Sequence, residues 1–191
     1  MRIGVLASQG AFAEHIAMLR QLEVEALPIR LLQELKGLDG LVIPGGESTS
    51  ISKLMRDYDL MNEVRNLARN GLPVLGTCAG MILLASEIAD SDVEPLRIMD
   101  IAVRRNAFGR QRDSFEAELS IPVLGEKSFL GIFIRAPIIV RANKEVEILA
   151  KLGGTSVAVR QGKLLASAFH PELTDDLRFH QYFLDIVAGH R

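Results

Sequence analysis

Apolar residues in this chain follow two rhythms. Short continuous runs at residues 3–7, 40–43 and 73–75 stop at turns rich in glycine, proline or serine, as buried strands do. Between them, Phe12, Ile16, Leu19 and Leu22 recur at the spacing of an amphipathic helix with its apolar stripe turned inward. A second short strand falls near residues 25–29. Residues 48–56 and 59–70 read as further helices, and Gly71-Leu72-Pro73 ends the second of them. Strands separated by helices predict right-handed crossovers and a mostly parallel sheet.

Past residue 98 the rhythm changes. Residues 98–103, 115–121, 130–135 and 146–150 are strand-like, with few helical intervals between them. Gly153-Gly154 and Gln161-Gly162 read as hairpin turns, the latter joining residues 155–160 to 164–169. An antiparallel extension of the parallel sheet accounts for this half. Helix returns at the end: Thr174 is the expected N-cap, Asp175 and Asp176 suit the positive end of the dipole, and Phe179, Phe183 and Ile186 form an inward face. With no linker and no repeat, residues 1–191 predict a single three-layer α/β domain.

Composition narrows the class. Of the 191 residues, 48% are hydrophobic, enough for a large core, and the net charge of −2 gives no electrostatic basis for a nucleic-acid or membrane-surface partner. One cysteine precludes an intrachain disulfide and suits a reducing cytoplasm. The N-terminus is already strand-like and lacks a signal-peptide pattern, and no apolar run is long enough to span a bilayer. His15, His180 and His190 show no ligand-like spacing and read as structural or surface residues. No Cys/His/carboxylate cluster points to a metal, so neither metal nor cofactor is expected.

That single cysteine carries the chemistry. Cys78 stands in Gly76-Thr77-Cys78-Ala79-Gly80, directly after Pro73-Val74-Leu75. A lone cysteine is as often a small buried hydrophobe. Here, however, a strand breaks into a turn of small residues before a helix, which lifts one side chain clear of the backbone. A helix starting near Ala79 would favour thiolate over thiol and aim the Ala79 N–H at a developing oxyanion. A second apolar run ends in His170-Pro171-Glu172, where Glu172 can fix the imidazole tautomer. Pro171 ends the ladder and predicts an exposed edge for His170 and Glu172. Cys78, His170 and Glu172 are thus candidates for a nucleophilic triad. Pro44-Gly45-Gly46-Glu47-Ser48 lacks the ending of a phosphate loop but can offer the Gly46 N–H as a second oxyanion donor. Arg104, Arg105 and Arg135 bring cations to strand ends, where a guanidinium could grip a substrate carboxylate.

These motifs resemble the class I (triad) glutamine amidotransferases, and within them the glutaminase subunits of pyridoxal 5′-phosphate synthase. The resemblance rests on Gly76-Thr77-Cys78-Ala79-Gly80, His170-Pro171-Glu172, Pro44-Gly45-Gly46-Glu47-Ser48-Thr49, Arg105-Asn106-Ala107-Phe108-Gly109-Arg110-Gln111, Ser114-Phe115-Glu116 and Phe133-Ile134-Arg135-Ala136-Pro137, spread in order over almost the whole chain. The family's first loop usually reads Gly-x-Gln-Gly, and this chain has Ala7 in place of the first glycine. The resemblance implies a flavodoxin-like class I glutamine amidotransferase fold and hydrolysis of L-glutamine to glutamate and ammonia. It places Gly46, Glu47, Ser48, Arg105, Ile134 and Arg135 at glutamine-binding positions. It also implies a (β/α)₈ synthase partner in a large hetero-oligomer, which receives the ammonia and makes pyridoxal phosphate as product. Completion of the oxyanion loop on docking, by a flip of the Gly45-Gly46 peptide, is a further expectation. Rival readings are a glutaminase serving another synthase, a cysteine peptidase-like hydrolase, and a non-enzymatic interaction or redox-sensing module.

Overall fold

The computed structural model describes residues 1–89, 91–105 and 114–190. Strands β1 (Arg2–Leu6), β2 (Glu25–Ile29), β3 (Gly40–Ile43) and β4 (Val74–Thr77) alternate with helices α1 (Phe12–Gln21), α2 (Ser48–Asp57) and α3 (Leu60–Arg69). Helix α4 (Ala79–Leu84) follows β4 directly. Then come β5 (Ala85–Ala89), β6 (Met99–Arg104), β7 (Ser114–Leu119), β8 (Phe129–Ile134), β9 (Ile138–Ala142), β10 (Glu147–Leu152), β11 (Thr155–Gln161), β12 (Leu164–Ser167) and helix α5 (Arg178–Val187).

The main sheet runs β2-β1-β3-β4-β12-β11-β9-β6-β5, with β10 on β11. It is parallel from β2 to β12 and antiparallel from β12 through β11 and β9 to β6, after which β5 lies parallel to β6. Strands β7 and β8 form a separate antiparallel hairpin. The result is a three-layer α/β fold with the antiparallel extension that the second half of the sequence predicts. Strands β3 and β4 are buried at every position, which is why they read as unbroken apolar runs.

Differences lie where the local signal is weakest. Strands β5 and β9 are not legible in the sequence, because Ala-Ser-Glu-Ile-Ala and Ile-Ile-Val-Arg-Ala take their conformation from the sheet neighbours that pair with them. Thr174 is not the N-cap of α5, which starts at Arg178. Its hydroxyl instead bonds Pro171 O and Asp176 N–H inside the preceding turn, and Asp176 accepts the Arg178 N–H. Among the described residues no helix is long and apolar enough to cross a membrane.

Candidate active site

Three adjacent parallel strands deliver the site at their carboxyl ends, where α/β sheets bind ligands. Strand β3 ends at Ile43 and passes into Pro44-Gly45-Gly46; β4 beside it ends at Thr77 and passes into Cys78; β12 on the far side ends at Ser167, three residues before His170. The Cys78 N–H donates to Ser167 O at 2.8 Å and ties the elbow to the histidine strand.

The elbow is tight. Cys78 adopts φ 49°, ψ −103°, a region that L-residues avoid, and its neighbours must be small. A Cβ on Gly76 would meet the Gly80 carbonyl carbon at 2.7 Å, and one on Gly80 would collide with Ile43 O. Helix α4 can therefore lie directly over β3 and β4, with Cys78 as its N-cap and the Ala79 N–H free of any intrahelical acceptor.

His170 is held from both sides. Its Nδ1 lies 2.7 Å from Glu172 Oε1, and its ring lines the same cavity as Cys78. Burial pulls the imidazole pKa down, but the nearby Cys78 and Glu172 push it up to about 10. The backbone is fixed as well: His170 N–H donates to Ile132 O, and the preceding Phe169 packs edge-on to Phe133 and Phe179 and tilted against Phe129. His170 and Glu172 are only 7% and 4% exposed, which corrects the exposed edge expected from Pro171. Strand β12 is interior, between β4 and β11, so ending its ladder leads the chain under the β7–β8 hairpin rather than into solvent.

Gly46, Glu47, Ser48, Cys78, Ala79, Arg105, Ile134, Arg135 and His170 line one cavity of about 190 Å³ together with Ile82. Glu172 stands behind His170. Ile134 O is 3.8 Å from Cys78 Sγ, and Arg135 takes φ 43° at the exposed end of β8. Glu47 caps α2 through the Thr49 and Ser50 N–H groups. Slight burial raises its carboxyl, but those bonds and the Ser50 hydroxyl bring its pKa to about 2. Arg105 bridges Glu47 Oε1 at 3.1 Å and Ser91 Oγ at 3.2 Å across the mouth. Arg104 is the exposed last residue of β6 and does not line this cavity. The remainder of the second arginine motif, residues 106–111, lies outside the described residues.

Two residues read from the sequence as merely structural or surface also reach this site. His15 on α1 and His180 on α5 are fully buried, with His15 Nε2 3.3 Å from Glu172 Oε2 and His15 Nδ1 2.8 Å from His180 Nε2. The available signal was His15 on the inward stripe of α1, one residue before Ile16. Spacing cannot show contact with residues more than 150 positions away.

An elbow cysteine beside a histidine–carboxylate pair, at the carboxyl ends of neighbouring parallel strands, fits an α/β enzyme with a thiol nucleophile. Residues 5–188 match the SNO glutamine amidotransferase family, and the chain belongs to that family. It is 58% identical to a pyridoxal 5′-phosphate synthase subunit PdxT of Moorella thermoacetica, over 98% of this chain and all of that one. A PdxT of Dehalococcoides mccartyi is 56% identical over the full length of both. A crystal structure of a glutamine amidotransferase superposes with a TM-score of 0.93 at 50% identity, covering 97% of this chain and 98% of that one. PurLQS from Thermotoga maritima, at 16% identity and a TM-score of 0.68 over 96% of this chain and 97% of its own, shares the fold.

Proposed function

We propose that this chain is the glutaminase subunit of a pyridoxal 5′-phosphate synthase, hydrolysing L-glutamine to L-glutamate and ammonia for a separate synthase subunit. The observation that carries the chemistry is the Cys78 elbow sharing one cavity with a His170 that Glu172 orients in turn. The full-length likeness to PdxT chains supports the assembly.

Cys78 Sγ attacks the side-chain amide carbon, and His170 takes the thiol proton. The oxyanion sits between the N–H groups of Gly46 and Ala79, each donor contributing about 3–4 kcal/mol to the transition state. Collapse breaks the carbon–nitrogen bond while His170 returns the proton to the departing ammonia. A glutamyl thioester remains on Cys78. Water, deprotonated by His170, then attacks the thioester, and the sulfur leaves and regains its proton. Glu47, Ser48, Arg105, Ile134 and Arg135 hold the amino-acid end of glutamine, with the guanidinium groups suited to its carboxylate.

The partner is a (β/α)₈ synthase subunit in a large hetero-oligomer, working in the cytoplasm. Its docking completes the oxyanion site. The Gly45 carbonyl accepts the Ala11 N–H at 3.2 Å. In a trans peptide the N–H opposes the C=O, so this bond also sets the aim of the Gly46 N–H. Ala11 directly follows Gln9-Gly10, and a Cβ on Gly10 would collide with Gly45 O. Pressure on that loop is thereby transmitted to the Gly45-Gly46 peptide. Glutamate release with and without the synthase subunit tests the reading: stimulation by the partner is expected, and equal rates contradict it.

A further inference from the structure

Behind the triad lies a buried polar chain that the reaction above does not use. His180 Nε2 is 2.8 Å from His15 Nδ1, and His15 Nε2 is 3.1 Å from Thr77 Oγ1 and 3.3 Å from Glu172 Oε2. Thr77 Oγ1 also accepts the Gly45 N–H at 3.1 Å. His15, His180 and Thr77 are fully buried; so is Glu172 Oε2, whose contact with His15 Nε2 at 3.3 Å is a close approach rather than an aligned hydrogen bond.

Two proton arrangements are open to a neutral pair of rings. If His15 carried its proton on Nδ1, the Nε2 lone pair would face a carboxylate oxygen, and His180 would leave an N–H buried without an acceptor. With the proton on Nε2, His15 donates to Thr77 and turns the same N–H toward the Glu172 carboxylate, accepts from His180 through Nδ1, and leaves a lone pair of His180 and the Thr77 hydroxyl proton unmatched. The second arrangement exchanges one unmatched neutral donor for another and removes the repulsion between a lone pair and the Glu172 carboxylate, the stronger of the two penalties. Burial keeps the rings neutral: it lowers the pKa of His15 despite the nearby Glu172 carboxylate, and with the adjoining His15 ring takes His180 to about 3.

We infer that His15, protonated on Nε2 and backed by His180, is a positioning residue that holds Glu172 Oε2 and, through Thr77, links the triad carboxylate to the Gly45-Gly46 oxyanion loop. This rests on the triad assignment proposed above. Glu172 then has both oxygens directed, one by His170 and one by His15, and cannot rotate away from the imidazole. The same N–H fixes the hydroxyl that receives the Gly45 N–H, so the acid and the oxyanion loop share one anchor. Helices α1 and α5, from opposite ends of the chain, are thereby built into the geometry of catalysis.

The test pairs kinetics in the complex with the synthase subunit and spectroscopy on the wild-type chain. His15→Leu is expected to lower kcat about 10- to 100-fold, the scale of a misplaced catalytic group, with KM within about twofold. His15→Gln, whose amide can donate to Glu172 and accept from His180, is expected to recover most of kcat. Imidazole ¹⁵N shifts of wild-type His15 are expected to show the Nε2–H tautomer. An Nδ1–H tautomer overturns the inference even if His15→Leu fails to fold, as does a folded His15→Leu with wild-type kcat or a folded His15→Gln that is no better than His15→Leu. Glutamate release by Cys78→Ala separates the two levels: activity there would overturn the triad itself, whatever the state of His15.

Discussion

Cys78 pairs an unfavourable backbone conformation with a position between two strand ends, and the molecule maintains that strain only because β4, α4 and the Ser167 carbonyl all hold it. Cys78→Ala keeps the fold and is expected to lower glutamate release by at least about 10³-fold, measured at saturating glutamine with the synthase subunit present. Glu172 leaves a signature in stability. Burial raises its carboxyl pKa, but the His15 and His170 rings outweigh this and hold it below the usual 4.5. The folded chain thus binds this proton less readily than the unfolded chain does. Its contribution is present above about pH 4.5 and is lost as pH falls below that value. Titration of the Glu172 carboxyl ¹³C shift in the folded chain checks this: an apparent pKa below 4.5 is expected. A value at or above 4.5 would contradict it. At this scale the sequence was informative, since Cys78, His170 and Glu172 stand in short motifs with a chemical reason for each residue type. It was silent on His15 and His180, whose role depends on a meeting between helices that no local pattern encodes.

Elements place these groups, and two turns can be tested directly. A Cβ at Gly45 would collide with His170 Cε1 and sit 2.9 Å from Nδ1, so the β3 loop approaches the imidazole only because that position is glycine. Gly45→Ala is expected to cut kcat by about 100-fold or more, as a displaced general base would, while the far-ultraviolet circular dichroism stays unchanged. Normal turnover would show that the loop has room. Glu47 caps α2 with its carboxylate, an end charge that suits the helix dipole. Glu47→Ala should cost about 1 kcal/mol of unfolding free energy and raise KM for glutamine through the loss of the Arg105 bridge. Elements with a continuous apolar run or a helical stripe, such as β3, β4 and α1, were legible from their residues alone. β5 and β9 were not, because half-exposed strands owe their conformation to partners; nor was the end of α5, where Thr174 and Asp176 divide the hydrogen bonds that one cap would take.

The whole molecule converts a parallel sheet into a site by letting three neighbouring strands stop in step. The antiparallel half contributes cover rather than chemistry: Phe129 and Phe133 of the β7–β8 hairpin pack on Phe169, and Ile134 and Arg135 at its end reach the cavity mouth. Sheet order could be anticipated only as parallel followed by antiparallel, since the insertion of β12 beside β4 joins segments about 90 residues apart and leaves no local mark. That insertion brings histidine to cysteine. The most direct test of the resulting account is rapid quenching of the complex during turnover of isotopically labelled glutamine, followed by peptide mapping. A glutamyl adduct on the Cys78 peptide, formed and consumed at rates compatible with glutamate release, is predicted. Steady turnover with no label on Cys78, or with label on another residue, would contradict it.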